Sequence, residues 1–197
     1  ENTALGTSAL YYNTTGYNNS ASGAYSLTNN TTGGENTASG SYSLTDNSTG
    51  SRNTATGTYA LSNNEIGDHN TASGYNALGS SSTGSYNTAT GYYALASNTL
   101  GSYNTALGYQ AGNTDGGFAT LSNLQEASAI GSYAQVQQSN SLVLGRTATG
   151  SNQTNVGIGT TAPTNLFSVS PIYYNTGTAS QSGTTITGSG TTWTSSM

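Results

Sequence analysis

The sequence predicts an all-β fold, a parallel β-roll or β-solenoid in which short strands stack coil upon coil, and three observations predict it. A phrase of the form N-T-A-x-G returns at an unbroken interval of 17 residues, aligning Ala4, Ala21, Ala38, Ala55, Ala72, Ala89 and Ala106 in one column and Gly6, Gly23, Gly40, Gly57, Gly74, Gly91 and Gly108 in another. Only 5% of the 197 residues are charged and each unit carries two glycines, so a helical repeat is disfavoured. What remains is a vocabulary of Asn, Thr, Ser and Gly with 15 tyrosines, which suits short strands separated by turns.

The elements follow in order. Residues 1–112 form the 17-residue array, with the consensus x-N-T-A-x-G-x-x-A-L-x-x-N-x-T-G-x. Its second apolar stretch runs through Ala9, Ser26, Ser43, Ala60, Ala77, Ala94 and Ala111 and through Leu10, Leu27, Leu44, Leu61, Leu78 and Leu95. A closing glycine recurs from Gly16 to Gly101. Two short small-residue or apolar stretches between Asn/Gly punctuation predict two short strands in each coil. The period then breaks at "NTDGGFATLSNLQEAS", and residues 113–126 read as a junction loop leaving the roll. It resumes over 127–170 at a shorter interval, where "SAIG", "LVLG" and "VGIG" end at Gly131, Gly145 and Gly159, 14 apart. Residues 171–197 change vocabulary again, and the alternation in "TTITGSGTTWT" predicts a hairpin turning at Gly188 to Gly190, the start of a small β-domain that Met197 cuts short. A chain opening on Glu1 reads as a processed product or a fragment.

The 14-residue phrases carry a family resemblance. "EASAIGSYAQVQQSNSLVLG", Glu126 to Gly145, resembles the YadA-like head repeat of trimeric autotransporter adhesins, a left-handed parallel β-roll. "NVGIGTTAPTNLFSV", Asn155 to Val169, is similar to the segment closing such rolls in bacteriophage tail fibres, and the NTAxG array resembles arrays in the same fibres and in bacterial surface proteins. The resemblance covers residues 1 to about 169. It implies a homotrimer in an extracellular fibre, with the chain's partners being two copies of itself and a host cell-surface glycan or protein. A thin coil offering one Leu and two Ala-sized residues to burial agrees with lateral packing, although a dimer or a wide monomeric solenoid would also gain burial; with the number three taken from the resemblance, the expectation is that the Ala and Leu faces of three copies meet on a shared axis. Stacked coils at about 4.8 Å each give a rod of roughly 50 Å. The predicted function is a structural or adhesive segment of a phage tail or receptor-binding fibre on the virion surface; the alternative is a trimeric adhesin anchored on a bacterial cell.

Composition argues against other classes. Arg52 and Arg146 are the only basic residues against seven acidic ones, which leaves nothing to neutralise a nucleic-acid backbone. There is no cysteine, and no segment reaches the length of a membrane span, so neither a thiolate metal site nor membrane insertion is expected. The lone His69 occupies a variable repeat position filled elsewhere by Glu1, Asn18, Glu35, Arg52, Tyr86 and Tyr103, a place for a surface residue rather than a catalytic base. Asp46, Glu65, Asp68 and Asp115 lack the paired-carboxylate pattern of a glycosidase, although Glu65 and Asp68 can approach across a turn. No catalytic residue, metal ligand or cofactor is therefore predicted.

Three columns remain. Asn2, Asn19, Asn36, Asn53, Asn70, Asn87 and Asn104 suit an amide ladder, glycan acceptors in N-x-S/T triplets being the alternative reading of the asparagines. Tyr25, Tyr42, Tyr59 and Tyr93 share one position, with Ser8, Asn76 and Gln110 in the others; they form either a sheet-stabilising ladder or a stripe that contacts a glycan. Thr3, Ser20, Thr37, Thr54, Thr71, Thr88 and Thr105 make a hydroxyl row suited to ice, beside a more ragged row at Leu5, Ser22, Ser39, Thr56, Ser73, Thr90 and Leu107.

Overall fold

The computed structural model describes residues 1–113 and 123–145, with four further strand segments between 156 and 189. The chain divides into two units, Glu1–Thr154 and Asn155–Met197. In the first, nine three-residue strands form a single parallel sheet in sequence order. They are β1 (Thr3–Leu5), β2 (Ser20–Ser22), β3 (Thr37–Ser39), β4 (Thr54–Thr56), β5 (Thr71–Ser73), β6 (Thr88–Thr90), β7 (Thr105–Leu107), β8 (Ser128–Ile130) and β9 (Leu142–Leu144). This is a β-solenoid of about eight turns, and no helix occurs among the described residues. Alanine pairs with alanine throughout the array, Ala4 with Ala21 and on to Ala106, which meets Ala129 of β8 across the junction.

The side-chain period of a strand explains the burial. The central alanines of β2–β8 point inward and are buried, while the flanking Thr and Ser point out. The second stretch of each unit is not the strand that its apolar residues predict. Leu27, Leu44, Leu61 and Leu78 sit at φ of 49–51°, in the left-handed region, and short bonds such as Asn47 N–H to the Leu44 carbonyl close a turn. Leucine is placed there because the turn aims its side chain into the core, where these four residues are fully buried. Inter-coil bonding persists without strand geometry, as in Leu44 N–H to the Ala60 carbonyl at 3.0 Å.

The Ala and Leu columns are thus covered within one chain and are not a face left for neighbouring copies, contrary to the sequence expectation. The coil is wide enough to close its own core, because two columns of buried asparagine widen it. Asn36, Asn53, Asn70 and Asn87 each donate from Nδ2 to a closing-glycine carbonyl at 2.8 Å and accept the backbone N–H of the next asparagine in the column. Asn30, Asn47 and Asn64 form the second ladder, with Nδ2 of each reaching Oδ1 of the one before at 2.7–2.8 Å. These amides are spent inside the core, which favours the ladder over the glycan-acceptor reading.

The glycine columns allow the coils to close-stack. Gly40 lies at φ 143°, and a Cβ there would collide with the carbonyl of Gly57 one coil on. The leucine column stops at Gly112, where a cavity of about 20 Å³ lies among Leu95, Gly112, Leu124, Ala127, Ala129 and Val136.

In the second unit β10 (Val156–Ile158) pairs in parallel with β11 (Phe167–Val169). In this pair the Val and Ile of "VGIG" stand opposite Phe167 and Val169, eleven residues on. β12 (Thr178–Ser182) and β13 (Thr185–Ser189) pair as an antiparallel hairpin, but not the one expected to turn at Gly188 to Gly190. Ser182 faces Thr185 at its closed end, and Gly188 lies within β13 opposite Ala179, because the alternation Thr185-Ile186-Thr187 is itself strand. Asp115 and Arg146 lie outside the described residues.

Candidate functional site: a tyrosine ribbon

Immediately after the strand and its glycine, the chain turns and exposes two adjacent columns. One holds Tyr25, Tyr42, Tyr59 and Tyr93, at φ of 55–60°. The first three stack from coil to coil, with ring centroids 5.0 and 5.1 Å apart and planes within 14°. Tyr93 is separated from them by Asn76, which replaces a ring in the intervening coil.

The neighbouring column fills the break. Tyr75 meets Tyr59 edge-on at 5.9 Å and lies 5.6 Å from Tyr93, and Tyr92 stacks on Tyr75 and on Tyr109 at 5.4 and 5.1 Å. Tyr133 continues the line at 5.2 Å from Tyr109. The four predicted tyrosines therefore belong to one track of eight rings running from the second coil to the coil of β8. Tyr75, Tyr92 and Tyr109 recur at the same interval of 17, one position earlier, so comparing adjacent columns would have found them.

Ring separation determines what the track presents. Faces in direct contact would stand about 3.5–4.0 Å apart, so centroids at 5.0–5.4 Å mean offset stacking. In the stacked pairs each ring overlaps the next like a shingle and leaves part of a face and its hydroxyl outward, whereas Tyr59–Tyr75 and Tyr109–Tyr133 meet edge to face. Tyr25, Tyr59, Tyr75 and Tyr92 are 39–44% exposed. Burial, reinforced by Tyr93 and Tyr59, holds the Tyr75 phenol above the ordinary tyrosine value. No charged residue occurs in either column from Thr7 to Tyr133.

The variable column of His69 lies elsewhere on the coil and has its own ladder. Glu35 Oε2 accepts from Arg52 Nε at 2.9 Å, Arg52 Nη1 approaches His69 Nε2 at 3.5 Å, and His69 stacks on Tyr86 at 4.6 Å. Tyr86 in turn stacks on Tyr103 at 4.9 Å. The Asp68 carboxylate accepts the Ser51 N–H at 2.7 Å and so fastens one coil to the previous one. Among the described residues no three His, Asp or Glu side chains gather where a metal ion could be held. No helix among them is long and apolar enough to cross a membrane.

Neither a protein-family model, nor a curated protein, nor a solved structure matches this chain.

Proposed function

We propose that the chain is a structural, adhesive segment of an extracellular homotrimeric fibre, of the kind that phage tails carry for host attachment, and that it performs no catalysis. The observation carrying this reading is the outer face of β1–β9. Its outward positions hold only Thr, Ser, Leu and Ile, without one charge. At about 4.8 Å per strand it runs for roughly 38 Å. It becomes apolar towards β9, where Leu107, Ile130, Leu142 and Leu144 are 38–61% exposed. A long uncharged sheet face is suited to covering by identical copies around an axis, and in this proposal it takes the place of the Ala/Leu faces. A left-handed roll of 17- and then 14-residue coils would then project as a stiff spacer, with surface contacts presented in threes and strengthened by avidity.

Native mass measurement at micromolar concentration tests this. A species of three times 19.8 kDa that falls apart on Thr56→Glu is expected, and a wild-type monomer would refute it.

A second reading has its own support. Over β2–β6 both outward rows are hydroxylic and exposed, a five-strand lattice that could bind ice. The two readings compete for one face. Thermal hysteresis in a monomeric sample would establish the ice reading and displace the trimer.

A further inference from the structure

Resting on the reading of the rod as an attachment segment, we propose that the tyrosine ribbon holds a linear, uncharged polysaccharide lying along the solenoid axis, one sugar residue to each coil. Three features of the ribbon define that partner. The first is charge: with no Lys, Arg, His, Asp or Glu in either column, a phosphorylated, sulfated or carboxylated polymer finds no counter-ion. Phenol, hydroxyl and amide groups both donate and accept, which matches the hydroxyls of a neutral sugar.

The second is period. Successive coils repeat at about 4.8 Å and successive rings at 5.0–5.9 Å, close to the length one pyranose adds to an extended chain. An extended peptide advances about 3.3 Å per residue and falls out of step within two coils.

The third is surface. The shingled rings leave part of a face uncovered, against which the C–H side of a sugar can lie, while each phenol hydroxyl stays at the rim. The track crosses from one column to the other at Tyr59 and Tyr75 without a gap, so the polymer has a continuous bed of six coil steps.

Affinity electrophoresis of the intact 197-residue protein through gels containing neutral β-linked glucan or chitin-type polymer, with alginate and heparin as anionic comparisons, tests the proposal. Retardation by a neutral polymer is expected, weakened about tenfold by the double variant Tyr42→Ser/Tyr92→Ser. Serine already stands in each of these columns, at Ser8 and Ser41, so the coil accepts it. Tyr103→Ser, in the separate ladder, should leave retardation within about twofold. With wild-type protein, affinity for oligosaccharides should rise with each added sugar until the ribbon is filled and then level off, a result that needs no variant to fold. Absence of retardation by every neutral polymer, retardation by anionic polymers alone, an equal loss in Tyr103→Ser, or affinity indifferent to oligosaccharide length would each overturn it. So would a fall in native mass in the double variant, which would place the ribbon between chains. Native mass of the wild type reports on the fibre reading and binding reports on this one, so the two fail separately.

Discussion

The second asparagine ladder contains its own experiment. Asn30, Asn47 and Asn64 are linked amide to amide, but the next position is Ser81, whose hydroxyl is fully buried with no hydrogen-bond partner. A neighbouring amide leans towards the interruption with a long bond, Asn70 Nδ2 reaching Asn64 Oδ1 at 3.4 Å. Ser81→Asn should complete the ladder, its Nδ2 donating to Asn64 Oδ1 and the Gly84 carbonyl and its Oδ1 accepting from Asn98. Three bonds at about 1 kcal/mol net each, together with relief of an orphaned hydroxyl worth about 1–3 kcal/mol, stabilise the fold. Ordering the longer side chain costs about 1 kcal/mol, and the one long bond to Asn64 Oδ1 is given up, leaving a gain of about 2 kcal/mol at the lower end. For a chain of this size that is roughly 4–8 °C in Tm, measured by circular dichroism at fixed protein concentration. Asn47→Ser makes the same interruption elsewhere and should lower Tm by a similar amount. If Asn47→Ser destabilises while Ser81→Asn does nothing or harms, the ladder is not a repeating unit and the reasoning fails.

Three further outcomes follow from the backbone and the ribbon. Gly40→Ala forces a methyl into the next coil's carbonyl at φ 143° and should cost about 3 kcal/mol or more, read from the urea midpoint. Glu126→Gly replaces an exposed residue held at φ 54°; relief of left-handed strain, partly offset by unfolded-state entropy, should add about 0.5–1 kcal/mol, and a loss would refute the strain argument. Because the folded Tyr75 phenol holds its proton more tightly than an unfolded tyrosine, its stabilising contribution is complete below about pH 10 and disappears as pH rises through the higher folded value. Tyr75→Phe should therefore resist alkaline unfolding better than wild type, with a smaller alkaline decline in urea midpoint.

Much of the fold was legible because a repeat written in strict register can only stack in that register: the alanine and glycine columns of the sequence are the alanine pairs and glycine contacts of the structure. The second strand was misjudged because Ala-Leu reads as extended in isolation, whereas here left-handed leucines turn the chain inward, a conformation that sequence pattern does not announce. In the ribbon, Tyr25, Tyr42 and Tyr59 were visible as a column. Tyr75, Tyr92 and Tyr109 were legible as a column of their own, but their junction with the first is a sideways step that only packed rings reveal.

A chain built from near-identical coils has a hazard that its asparagine and glycine columns cannot prevent: a slip of 17 residues would restore almost every bond they make. The column running Glu35, Arg52, His69, Tyr86, Tyr103 differs at nearly every step, pairing acid with base and then ring with ring. Shifting that series by one coil sets Glu35 beside His69 and Arg52 beside a tyrosine, so the pairs of this column are lost in every winding but the correct one.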